Sequence, residues 1–305
     1  MEKVVEMGEF REVKKGKLII EGKTKRVFEC AGNELPHIGQ IAVAIQFKSD
    51  ITAHDGETRE TIPGKEIIDC RTNDNFFRLL NVWGIPTHYM GKVGDAEFLA
   101  RRLAQKAPFE VVTRRVGTGS ILERNPNIKE GHHFKDLYTE FFYKDDFFHD
   151  PMIDPNFIRV KDKKGHFAAM RNINERAFLV AEQVLHELDY QLIDWKQEYG
   201  WPVELKSQII KNISTSSFAA EDLIMIDEIT AGNIRIWPIK AKKFDLSKDN
   251  LMDQLDPKGN LDKQRFRDGE DLVTVKNAFE ALAALTDQFC KFYPETNTID
   301  NSTTI

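Results

Sequence analysis

The sequence is poor in thiols. Its three cysteines, Cys30, Cys70 and Cys290, lie far apart, so neither a disulfide framework nor a thiolate zinc site is suggested, and they read as reduced thiols. It also lacks an excess of positive charge. Forty-three basic against 49 acidic side chains give a formal net charge of −6, which repels a nucleic-acid backbone and argues against nucleic-acid binding. No apolar run approaches the ~20 residues of a membrane helix. The start MEKVVEMGEFREVKKGK has no apolar stretch of the secretion-signal kind, so a cytoplasmic address without a membrane partner is expected. Repeats, low-complexity tracts, a GxxxxGK(S/T) phosphate loop and a GxSxG nucleophile elbow are all missing. His149 has no second histidine at metal spacing, and His132–His133 sits in polar, turn-rich sequence, which disfavours zinc.

What is present is enough apolar side chain, 41% of 305 residues with 21 Phe, to build a large core in one or two units. The first hundred residues alternate β-like runs with turns: KLIIEGKTKRVFEC, the break AGNELPHIG, then QIAVAIQF. A helix is expected from about Asp74, ending at Gly84 and Pro86, and a second short one over DAEFLARRLAQ. Strands are expected over 109–116 and 138–144, a long helix over 171–189, strands in YQLIDWKQEYG, DLIMIDEIT and NIRIWP, and a last helix over 270–290. Residues 201–221 and 238–262 read as surface excursions, and the last dozen as a frayed tail. Mixed elements without strict βαβ alternation predict an α+β fold with largely antiparallel sheets.

Several segments carry chemistry. In LIDWKQE, strand alternation puts Asp194, Lys196 and Glu198 on one face and Ile193 and Trp195 on the other. The next strand ends in Asp227 and Glu228. Two acidic strand faces brought together suit a hard cation, and Glu198 and Asp227 are the candidate magnesium ligands, with Lys196 charged between them. In EGKTKRVF, Gly22 admits close backbone approach and Lys23 and Lys25 share a face that could clamp polyphosphate. VVTRRVGTGSILERNP offers turn amides, Ser120 and the fork of Arg114 or Arg115 to a phosphate monoester. EFFYKDDFFHDP embeds Lys144 and Asp150 among aromatics, as at a cleft. LDKQRFRDG brings Lys263, Arg265 and Arg267 to a helix entrance. Taken singly, each of these is also explained by a solvated strand face, a lysine-decorated edge or a capped turn.

Taken in order, EGKTKRVF, SDITAHDG, RRVGTGSILERNP, EFFYKDDFFHDP, LIDWKQEYG, IDEITAGNIRIWP and LDKQRFR resemble the SAICAR synthetase family of purine biosynthesis, from about residue 21 to 267. The resemblance implies an ATP-grasp-like α+β fold. A small N-terminal antiparallel sheet lobe, residues 1–110, would hold nucleotide against a larger α+β lobe, residues 111–305. It implies ATP and Mg2+, with carboxyaminoimidazole ribonucleotide (CAIR) and L-aspartate as small-molecule substrates; a homo-oligomer is left open. By the same resemblance Gly22, Lys23 and Lys25 match the phosphate hairpin, and Glu198 and Asp227 the magnesium and nucleotide-side carboxylates. Arg114, Ser120 and Arg235 match the ribonucleotide phosphate site, with Lys263 and Arg267 also on that substrate. Lys144, Asp150, Asp194 and Lys196 border the reacting groups, with Asp194 or Asp150 to take the amine proton.

Overall fold

The computed structural model describes residues 14–31, 41–53, 57–145, 148–203 and 218–294. Most of AGNELPHIG, the HDG end of SDITAHDG, most of the 201–221 excursion and the tail from residue 295 lie outside the described residues. The fold is α+β, and every pairing between the described strands is antiparallel.

The N-terminal sheet runs β1 (Lys14–Glu21), β2 (Lys25–Ala31), β3 (Ala42–Phe47), β7 (Glu97–Arg101), β6 (Tyr89–Gly94), with β4 (Asp50–Ala53) and β5 (Thr58–Thr61) as a separate hairpin. The turn between β1 and β2 closes where the Gly22 N–H donates to the Lys25 carbonyl at 2.8 Å. A side chain at Gly22 would meet only ordinary contact, 3.6 Å from that carbonyl, so the fold itself does not demand glycine there.

The expected helix over DAEFLARRLAQ is instead β7 and the start of β8 (Leu103–Gly117). Phe98, Leu99 and Ala100 are buried between β3 and β6, and Asp95–Ala96 is a hairpin turn, so sheet pairing overrides a short helical pattern. The helix expected from Asp74 begins at Lys65, after Gly64 at φ +87°, and runs to Val82 as α1. Its first turns escape an apolar-stripe reading because their buried face is polar: Lys65, Asp69, Thr72 and Asn73.

The second sheet runs β11 (Ile224–Ile226), β10 (Tyr190–Pro202), β8, β9 (His132–Tyr143). Strand β12 (Ile234–Pro238) pairs with the first half of β10, on the edge that β11 takes over further along. α2 (Ser120–Arg124) follows β8, and α3 (Pro155–Lys161) leads into α4 (His166–His186), which packs on this sheet. After the short α5 (Gln264–Arg267), Asp271 caps α6 (Leu272–Thr286) by accepting the Val273 and Thr274 N–H groups at 3.0 Å. Helix α6 lies on α1, and Phe289 just beyond it meets Phe76 edge-on at 5.0 Å.

One apolar core joins Phe47 and Phe98 of the first sheet, Phe76 and Phe279 of the helices, and Trp195 and Tyr199 of the second sheet. Ile193 does not share the Trp195 face as expected. A register shift between Leu192 and Asp194 sends Ile193 to a second cluster, with Val116, Trp237, Leu251 and Leu255. That cluster also corrects the reading of 238–262 as a surface excursion. Leu251 and Leu255 are fully buried, and the segment is tied down by bridges from Asn250 to His132 and from Leu255 to Ile239.

Candidate functional site

The site is one face of the second sheet, laid out as rungs by strand register. Strands β8 and β10 set Glu110 opposite Glu198, Val112 opposite Lys196, and Arg114 opposite Asp194. Strand β9 continues two rungs with Phe142 and Glu140, and β12 extends the third with Arg235. Since alternate residues share a face, Arg114 points into the site while Arg115 points away. Arg115 is held by Glu182 through both oxygens, at 2.7 and 2.8 Å, which decides between the two arginines.

The third rung is a chain of charge. Arg114 donates to Glu140 and to Asp194, each at 2.8 Å, and Arg235 donates to the same Asp194 oxygen at 3.0 Å. At the first rung, two like charges face each other, which is unfavourable unless offset. Lysines offset it: Lys196 contacts Glu110 at 2.8 Å, Lys144 spans Glu110 at 2.9 Å and Glu198 at 2.6 Å, and Lys106 pairs with Glu198. Burial pushes the Glu110 carboxyl up, but Lys196 and Lys144 outweigh it and hold it below its ordinary value. Burial alone would lower the Lys144 pKa; its two carboxylates raise it instead, so this ammonium is a fixed charge and not a proton acceptor.

The cavity over these rungs, about 250 Å3, is lined by Arg114, Asp194, Lys196 and Arg235 from the strands and by Ser120, Asp150, Lys263 and Arg267 from loops and helix starts. Gly119 positions Ser120. It sits at φ +66°, and a Cβ there would come within 3.1 Å of the Arg235 guanidinium, so only glycine lets the turn and the arginine coexist. Asp150 is left-handed at φ +47° and accepts the Asp145 N–H at 2.8 Å. Burial, then the positive Arg267, Lys65, Lys196 and Lys23, push the Lys263 amine down to about 7.

Asp227 and Glu228 follow β11, which pairs with β10 so that Glu198 faces Ile226. Lys25, from the hairpin of the other sheet, forms ion pairs with both carboxylates. Burial raises the Asp227 pKa, but Lys25 and Lys106 prevail and bring it to about 2. Gly22 and Lys23 are exposed at the tip of the same hairpin. The structure therefore gathers eight of the expected residues around one cavity, sets Lys144 and Glu198 in the ion-pair cluster at the first rung, and joins Lys25 to Asp227.

Residues 18–284 match the profile of the family described as SAICAR synthetase. The chain belongs to the SAICAR synthetase family. A phosphoribosylaminoimidazole-succinocarboxamide synthase of Roseiflexus is 32% identical over 279 residues, 89% of this chain and 97% of that protein. A probable multifunctional protein ADE2 of Caenorhabditis elegans is 30% identical over 291 residues; there the match is 90% of this chain but 59% of the longer relative. Among solved structures, a SAICAR synthetase in complex with ADP is 26% identical, with a TM-score of 0.67 over 88% of this chain and 96% of that one.

Sequence reasoning on this SAICAR synthetase family chain missed Glu110 and Glu140, which complete the rungs, Lys106, which pairs with Glu198, and Asp262, which lines the cavity. The period-two pattern Glu110–Val112–Arg114 within the expected strand 109–116 is the available signal, and it shows only once β8 is laid beside β10. Among the described residues no group of three or more His, Cys, Asp or Glu is arranged as a metal cage. The donor chemistry nevertheless fits Mg2+, since Glu198 and Asp227 are hard carboxylate donors on neighbouring strands.

Proposed function

We propose that this chain performs the ligation for which its family is named, joining L-aspartate to the carboxylate of CAIR at the expense of ATP. The observation that carries this reading is the cavity in which two guanidiniums, a serine and two further cations stand two rungs from a lysine–carboxylate cluster. A phosphate monoester fits Arg114, Ser120 and Arg235, with Lys263 and Arg267 on the same ligand. That leaves its carboxylate towards Lys196. We read the fold as ATP-grasp-like, with a lobe of residues 1–110 closing nucleotide against residues 111–305; β8 runs unbroken through that junction. Gly22, Lys23 and Lys25 would then lie over the phosphates. A cytoplasmic enzyme of small-molecule substrates agrees with this, and no helix among the described residues is long and apolar enough to cross a membrane.

A carboxylate is a poor acyl donor because its leaving group would be oxide or hydroxide. A carboxylate oxygen of CAIR therefore attacks the γ-phosphorus of ATP, ADP leaves, and an acyl phosphate results. The aspartate amine attacks that acyl carbon and expels phosphate, while its proton passes to Asp194 or Asp150. Lys196 and Lys144 supply fixed positive charge where the phosphoryl group moves. Glu198 and Asp227 would hold Mg2+, which when bound neutralises phosphate charge. Phosphate release measured with each substrate omitted in turn tests the reading: release is expected only with ATP, CAIR and aspartate together. Turnover that needs no aspartate and leaves phosphate on the product would mark a phosphotransferase.

A further inference from the structure

Two neighbouring arginines of β8 meet their carboxylates in different ways. Arg115 closes a two-bond fork on Glu182: its Nε donates to one oxygen at 2.7 Å and its Nη2 to the other at 2.8 Å. That is the geometry a guanidinium and a carboxylate adopt when nothing interferes. Arg114 does not close such a fork. Its Nε donates to Oε2 of Glu140 and its Nη1 to Asp194, each at 2.8 Å, which leaves Nη2 for a ligand.

The difference lies in a third arginine. Oε1 of Glu140, the oxygen that would complete the fork, instead accepts from Nη2 of Arg124 at 2.7 Å. Glu140 is buried, with 4% of its side chain exposed, so both of its oxygens need partners within the protein. Arg124 is held where it can serve one of them. It ends α2, the turn of helix that begins at Ser120, and Ile121 anchors that turn in the interior. Its guanidinium lies 5.1 Å from the centre of the Phe142 ring, whose side chain lines the cavity, while Arg124 stands outside the cavity wall. Without Arg124, the unsatisfied Oε1 would turn to the nearest guanidinium, and Nη2 of Arg114 would be drawn into the fork that Arg115 shows.

We propose that Arg124 is a positioning residue for the anion subsite: by holding Oε1 of Glu140 it keeps that carboxylate from closing on Arg114 and leaves Nη2 of Arg114 for the substrate phosphate. This rests on the reading of Arg114 and Arg235 as the place of the CAIR phosphate. Arg124 acts on the third rung alone, so its loss should spare the nucleotide side of the site, which lies at the first rung and at Asp227.

The test is calorimetric binding of CAIR, and separately of ADP with magnesium, to Arg124→Met and Arg124→Lys, with melting temperatures for each. Arg124→Met keeps an unbranched chain against Phe142 and deletes the charge. It should bind CAIR about tenfold more weakly, the loss expected of one charge-assisted hydrogen bond, with ADP affinity unchanged. Arg124→Lys, which retains a cation for Oε1, should recover CAIR binding. In a Glu140→Gln background no second carboxylate oxygen can close the fork, so Arg124→Met should cost no further CAIR affinity there. An equal loss in both backgrounds would mean that Arg124 acts on the phosphate through its own charge, and would overturn the proposal. Wild-type CAIR affinity in Arg124→Met would do the same, as would parallel losses of CAIR, ADP and melting temperature. Arg114→Lys replaces the Glu140→Gln background if that one does not fold, since a lysine has no fork to close, and the same results decide. Arg235→Ala separates the two layers. Wild-type CAIR affinity in that variant removes the phosphate subsite itself, whereas a loss there beside an unaffected Arg124→Met removes only the role of Arg124.

Discussion

Arg235 and Glu198 stand at opposite ends of the same sheet face, and their substitutions should separate the two substrates. Arg235→Ala removes one of two guanidiniums on Asp194 and opens the anion subsite. The KM for CAIR should rise by about 100-fold, the scale of a lost bidentate charge contact, with the KM for ATP nearly unchanged. Equal shifts in both would mean the phosphate subsite lies elsewhere. Glu198→Gln should lower kcat by orders of magnitude across a magnesium titration. It should also destabilise the fold by about 1–3 kcal/mol, because Glu198 is only 3% exposed and Lys144 and Lys106 lose their shared anion. The sequence alone places Glu198 on a solvated face, where no such change in melting temperature would follow.

Lys263 gives the residue scale its pH signature. With its amine lowered to about 7, the free enzyme loses this positive charge as pH rises through neutrality, so kcat/KM for CAIR should fall from pH 6 to 8. Lys263→Arg keeps the charge and should flatten that limb; an unchanged profile would contradict the assignment. The sign for stability is opposite. Between about 7 and the ordinary 10.5 the unfolded chain binds more protons than the folded one, so this group makes stability rise with pH in that window.

At the scale of elements, the turn from β8 into α2 is the tightest joint of the site. Gly119→Ala must abandon φ +66° or displace the Arg235 guanidinium. A destabilisation of about 1 kcal/mol together with a raised KM for CAIR is expected, measured by thermal melts and initial rates. A destabilised variant with normal CAIR kinetics would mean that Arg235 has room to move. The elements also show what could be read beforehand. The face of Asp194, Lys196 and Glu198 was legible because strand periodicity is local, and so were β11, β12 and the long helix α4. The bulge at Leu192–Asp194 was not, since it depends on pairing with β12, and Ile193 changed faces with it. The polar first turns of α1 were missed because helix recognition looks for apolar stripes, whereas here Lys65 pairs with Asp69 and Asn73 braces the acidic turn that follows β11.

For the whole molecule, the hairpin of the first sheet reaches the acidic turn of the second through Lys25, which pairs with Asp227 and Glu228, and Thr24, which donates to Glu228 at 3.3 Å, and no local pattern announces either contact. Residue order along the chain made the family legible, while the joining of hairpin and acidic turn required the fold. On the proposed mechanism the assembled site activates a carboxylate and then replaces the phosphate with an amine. Oxygen-18 in the CAIR carboxylate tests it most directly. If an acyl phosphate forms and aspartate expels it, each phosphate released carries one labelled oxygen. Phosphate released without label, with amide formed, would contradict the mechanism assigned to this site.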